Sequence, residues 1–153
     1  MAAIDFPAGL PTPLRSGYEL QHVSPLMRSE LESGRVRQRR RYTSVPTIVS
    51  VSWILTRQQA QVFESWFRFD IEDGAEWFNC RLNTPVGLQY YECRFADMYS
   101  GPQLVARDHW QFSADIEIRE RQTLAEGWGG AGAMFVQLAD IFDKAMNQEW
   151  PAA

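Results

Sequence analysis

Residues 47–67 read TIVSVSWILTRQQAQVFESWF, a strand that passes without a linker into an aromatic-rich amphipathic helix. Val49, Val51, Trp53 and Leu55 alternate with Ser50 and Ser52, the period-two pattern of a half-buried strand. Helical spacing then takes over. Thr56 can cap the helix N-terminus, and Gln59, three residues on, completes the form of a capping box. Phe63, Trp66 and Phe67 then fall on one apolar side. The unit reads as scaffold, because nothing in it has a catalytic pattern.

Working outward, residues 70–74 form a polar turn and residues 76–82 the next strand, which carries Trp77, Phe78 and Cys80. The stretch Asn83-Thr84-Pro85-Val86-Gly87 supplies turn residues, so residues 89–95 should fold back as a hairpin. Ser100-Gly101-Pro102 reads as a further turn. The last strand is the clearest: Trp110, Phe112, Ala114, Ile116 and Ile118 alternate strictly with Gln111, Ser113, Asp115, Glu117 and Arg119. Upstream, residues 36–42 can form a strand, with Pro46 marking a bend. Over residues 35–121 the pattern predicts an α+β domain, mainly antiparallel β, built as a sandwich or open barrel with one flanking helix.

Both ends differ in character. Residues 1–34 carry Pro7, Pro11, Pro13 and Pro25 with Gly9, Gly17 and Gly34, which forbids a long helix and suits an extended arm. The arm still holds Phe6, Leu10, Leu14, Tyr18, Leu20 and Leu26, anchors for a groove on its own subunit or on a neighbour. Residues 122–132 form a glycine-rich linker. Residues 133–150 predict an amphipathic helix, with Met134, Phe135, Leu138, Ile141, Phe142, Ala145 and Met146 at three- and four-residue spacing, fit to dock on its own domain or on a partner.

The 153 residues, 45% hydrophobic, suffice for one ordinary core. A net charge of -4 and a pI near 5.2 argue against a protein whose whole surface seeks nucleic acid or anionic membrane. No stretch reaches the ~20 apolar residues that span a bilayer, and the first residues lack the pattern of a secretory signal, so the expectation is a chain made and kept in the cytosol, or assembled there. Aromatic residues make up 13% of the chain, with six Trp, side chains suited to anchoring protein contacts.

The chemistry-bearing residues do not converge. Cys80 and Cys93 form no CxxC pair and read as buried small hydrophobes. His22 and His109 are the sole histidines, in no ligand-like spacing, so no metal or cofactor is expected. The glycine cluster at 127–132 lacks the Lys-Ser/Thr pair of a phosphate loop. Asp108-His109 has no accompanying nucleophile motif, and Glu72, Asp73 and Glu76 are explained by solvation at a turn. No enzymatic activity is expected. The run Arg35-Val36-Arg37-Gln38-Arg39-Arg40-Arg41 remains. On a strand, Arg37, Arg39 and Arg41 share a face and could pair with acids such as Asp115 and Glu117 on another strand or subunit. The competing reading is a nucleic-acid-binding module that uses the same run on phosphates.

The succession Tyr42-Thr43, Ile48-Val49-Ser50-Val51, residues 55–67 and Gly74-Ala75-Glu76-Trp77-Phe78, with a closing strand at 110–117, resembles the minor tail proteins of lambdoid tailed phages, of the distal tail type. The likeness covers residues 33–121 and is one of strand, helix and aromatic positions. The Gly-Asp-Gly-Tyr turn that often precedes the family's first strand is replaced here by Glu32-Ser33-Gly34-Arg35-Val36. The resemblance implies a tail-tube-like fold, a homo-oligomeric ring, commonly a hexamer, that joins tail tube to tail-tip and hub proteins, and a channel through which DNA passes. It implies a virion component with no membrane role. A tube, tail-completion or neck protein is the neighbouring alternative. Interface residues expected on this reading are Arg37, Arg39 and Arg41, and, on the terminal helix, Phe135, Leu138, Ile141 and Phe142.

Overall fold

The alternation read at residues 47–56 sets the core. Val49, Val51, Trp53 and Leu55 are all buried, and the strand they define pairs along its whole length with the strand ending at Ile118, whose Phe112, Ala114, Ile116 and Ile118 are buried too. The computed structural model describes residues 2–30 and 34–123, with Gly132, Met134, residues 136–139, Ile141 and Lys144. The chain divides into two compact units, Met1–Gln122 and Thr123–Ala153.

The first unit contains β1 (Ile4–Asp5), β2 (Glu19–His22), β3 (Leu26–Glu30), β4 (Val36–Arg40), β5 (Thr47–Thr56), α1 (Arg57–Phe69), β6 (Phe78–Thr84), β7 (Gly87–Phe95), β8 (Ser100–Ala106) and β9 (His109–Ile118). Seven strands make one sheet in the order β1-β6-β7-β9-β5-β2, with β8 also on β9, while β3 and β4 form a separate two-stranded sheet. The class is α+β, mainly antiparallel. The main sheet is mixed because β1 runs parallel to β6, and it does not close into a barrel.

Helix α1 starts as its sequence dictates. The Thr56 side chain accepts from the Gln59 N–H, and the Gln59 side chain accepts from the Thr56 N–H at 3.0 Å. Its buried residues Ala60, Phe63, Trp66 and Phe67 lie over the inner sheet face. Phe63 meets Phe112 at 4.9 Å between centroids, Trp66 meets Phe78 edge-on at 5.0 Å, and Phe67 meets Phe95 edge-on at 5.0 Å. Edge-on pairs of this kind add about 0.5–1.5 kcal/mol each beyond the area they bury. After the helix, Gly74 at φ 93° lies so close to the core that a Cβ there would sit 3.1 Å from the Phe95 Cβ and 3.2 Å from the Phe67 ring.

Three elements depart from the sequence reading or go beyond it. First, the N-terminal segment lies on its own subunit, one of the two places read for it, and does so through strands. Its strands β1 and β2 pair with β6 and β5, covering a sheet edge at each end, and Phe6 stacks on Trp53 at 5.8 Å and meets Trp66 edge-on at 5.3 Å. Between them the segment is held to both sides of the domain: Leu14 N–H donates to the Ser52 carbonyl, and Tyr18 O–H donates to the Asn83 carbonyl. β1 and β2 thus become the edges of the sheet, and edge strands of two and four residues offer other chains little to pair with. The buried Asn79 anchors the start of the segment, its side chain bonding both backbone groups of Ala2 and the Asp5 carboxylate at 2.7–3.0 Å.

Second, Ser100-Gly101-Pro102 opens strand β8 instead of forming a turn. Gly101 at φ 111° sits where a Cβ would lie 2.6 Å from the Gln111 carbonyl, so glycine lets the backbone touch β9 and absorb the register shift between Ser100 and Gln103. Third, the strand at residues 36–40 is absent from the main sheet and pairs with β3 alone. Its charged side chains cannot enter an apolar face, so the domain excludes it.

Candidate interaction surfaces

The β3–β4 hairpin is the most unusual surface of the first unit. Met27 lies opposite Arg39 and Ser29 opposite Arg37, while Arg28 lies opposite Gln38 and Leu26 opposite Arg40. Directly opposed residues share a face, so Arg37 and Arg39 project together and Arg28 and Arg40 project from the other side. The Arg39 Nη2 lies 3.7 Å from the Met27 Sδ. Arg41 is beyond the strand; its N–H donates to the Pro25 carbonyl, and its guanidinium stands 5.2 Å from the centroid of the Tyr42 ring. All six arginines of this region, residues 28, 35, 37, 39, 40 and 41, are exposed, and among the described residues none forms an ion pair.

The acids expected to pair with them are engaged elsewhere in the chain. Asp115 accepts a hydrogen bond from the Ser50 hydroxyl at 2.7 Å across β5–β9, and Glu117 pairs with Arg94 at 2.9 Å across β7–β9. The pairing of Arg37, Arg39 and Arg41 with Asp115 and Glu117 is therefore not made within the subunit, because β4 never lies beside β9. Among the described residues, the arginine–acid pairs lie around Trp77. Arg94 and Arg119 stand 4.8 and 5.6 Å from its ring centroid, and Arg119 also pairs with Glu92 at 3.2 Å. These groups are partly exposed, so each contact contributes at most about 1 kcal/mol. The register of β7 against β9 sets them face to face; that register is a tertiary fact with no local sequence signal.

Among the described residues no group of acid, base and nucleophile assembles. Glu72, Asp73 and Glu76 are exposed on the turn after α1, with Glu72 and Asp73 at φ 49° and 56°. His109 is exposed at the start of β9. Among the described residues, no three His, Cys, Asp or Glu side chains are grouped as a metal would require. Cys80 and Cys93 are free and buried. Burial pushes the Cys80 thiol up to about 12 and the Cys93 thiol higher still, so neither is a nucleophile at neutral pH. Burial likewise pushes the Tyr18 phenol up to about 12. Beside it lies an open groove of about 450 Å³ between the N-terminal segment and β6, lined by Leu14, Arg15, Tyr18, Arg81 and Asn83.

In the second unit, Gly132, Met134, residues 136–139, Ile141 and Lys144 are helical, so the helix reaches back into what the sequence assigned to the linker. Met134, Leu138 and Ile141 recur at four and three residues, the spacing of one helix face, and all three are exposed. The expected interface residues Phe135 and Phe142 lie outside the described residues, as do residues 124–131 of the linker. Among the described residues no helix is long and apolar enough to cross a membrane.

The chain matches no family model, no curated protein and no solved structure.

Proposed function

We propose that this chain is a structural subunit of a phage tail: a minor tail protein of the distal tail type that forms a homo-oligomeric ring, commonly a hexamer, between the tail tube and the tail-tip or hub proteins. On this reading it is a virion component assembled in the host cytoplasm. It performs no catalytic step, needs no cofactor and enters no membrane. DNA crosses the ring in transit.

The observation that carries the reading is the contrast between sealed and open surfaces. The N-terminal segment covers both ends of the main sheet, yet the hairpin and the helix in the second unit leave charged and apolar side chains exposed. A closed ring gives such surfaces partners without open-ended growth. The resemblance of residues 33–121 to distal tail proteins supports the same reading, and a tube, completion or neck layer is its nearest variant. A second reading, a nucleic-acid-binding module, is favoured by one observation, the six exposed arginines that form no ion pair among the described residues.

Labelling the chain in intact particles and imaging them by electron microscopy tests the proposal. Density at the junction of tube and tip is expected. Particles that are complete without the chain would overturn it.

A further inference from the structure

The charge of this chain is divided. In residues 26–42 six arginines stand against Glu30 and Glu32, a local balance of +4, so with the whole-chain charge of -4 the remainder carries -8. Such separation has a cost inside one molecule unless the two parts meet, and among the described residues the arginines meet no acid. Among the described residues β3 and β4 pack chiefly on each other, and every position but Met27 is exposed. A two-stranded hairpin on its own is marginal in water, so a contact from outside the subunit would stabilise it.

Two hairpins cannot hold one another, since like charges would face across the contact. DNA would gain the arginines but would be repelled by the rest of the chain, whose charge is -8. A complementary surface is the turn after α1, where Asp70, Glu72, Asp73 and Glu76 cluster, all exposed, and none forms an ion pair among the described residues. Beside them Phe69 is 71% exposed, a large ring of the kind that anchors protein contacts.

We propose that the β3–β4 hairpin of one copy docks on the Asp70–Glu76 turn of the next, with Arg37 and Arg39 set against Glu72 and Asp73. The contact joins two different patches, so it is head-to-tail, the arrangement that closes into a ring when the rotation allows. The inference rests on the ring reading and names the contact that builds it.

Sedimentation velocity of the full chain tests it, at low and high salt, with circular dichroism confirming that each variant is folded. The wild-type chain should self-associate, less so at high salt. Arg37→Glu with Arg39→Glu should weaken association roughly a hundredfold, as should Glu72→Arg with Asp73→Arg. A chain carrying all four substitutions should recover it. If the wild-type chain associates and the arginine variant associates equally well, the hairpin contact is wrong while the ring reading stands. If both paired variants fail to associate and the fourfold variant does not recover, the assigned acceptor is wrong. A wild-type chain that stays monomeric at every concentration overturns both the contact and the ring. A monomer that binds duplex DNA with a steep salt dependence, lost on Arg37→Glu with Arg39→Glu, would assign the hairpin to nucleic acid instead.

Discussion

Strands β5 and β4 are hydrogen-bonded into antiparallel ladders in the same way, yet one is the centre of the molecule and the other lies outside its sheet. In β5 Val49, Val51, Trp53 and Leu55 alternate as apolar, buried residues, and α1 and the N-terminal segment close over that face. In β4 every residue is exposed, and arginine occupies three of its five positions. Backbone pairing is common to both, so it cannot be what distinguishes them. Side-chain burial decides which strand the fold holds and which it presents.

The comparison can be broken at either strand. Trp53→Ala should be the most damaging change. It empties the centre of the aromatic cluster, where Trp53 is fully buried against Phe6 and Phe63, and large-to-small changes of this kind cost about 3–5 kcal/mol, readable as a lower denaturation midpoint. Asn79→Ala should cost about 1–3 kcal/mol, because it strands the Ala2 backbone groups and loosens the segment that covers β6. Amide exchange in residues 2–6 should quicken with it, and unchanged exchange would mean that Phe6 alone holds the segment. Thr56→Ala removes the cap that turns β5 into α1 and should cost about 1 kcal/mol in the same denaturation assay. At the other strand, Arg37→Ala with Arg39→Ala should leave the subunit's stability within about 0.5 kcal/mol, since both side chains are exposed. A large loss there would mean that the hairpin is part of the core structure after all.

Where a feature was set by local periodicity, the sequence was enough. The 47–67 unit, its capping box, the returning hairpin at residues 83–87 and the final alternating strand all appear as read, because each depends on neighbours in the chain. What depended on distant partners was illegible. Ile4–Asp5 is too short to announce a strand and becomes one only because β6 offers an edge and Asn79 a clamp. The Ser100–Pro102 strand needs the Gln111 carbonyl to explain why a glycine is there. The arginine face of Arg37 and Arg39 was visible in the alternation, but their exclusion from the main sheet required knowing that β3 would take β4 away. The Trp77 pairing rests on a cross-strand register that no local pattern encodes.

Native mass spectrometry of the full chain addresses the central claim, that this is a building block whose open surfaces are filled by other copies. The account predicts one dominant closed assembly with a fixed copy number that falls apart as ionic strength rises. A chain that remains a monomer at every concentration and salt would contradict it.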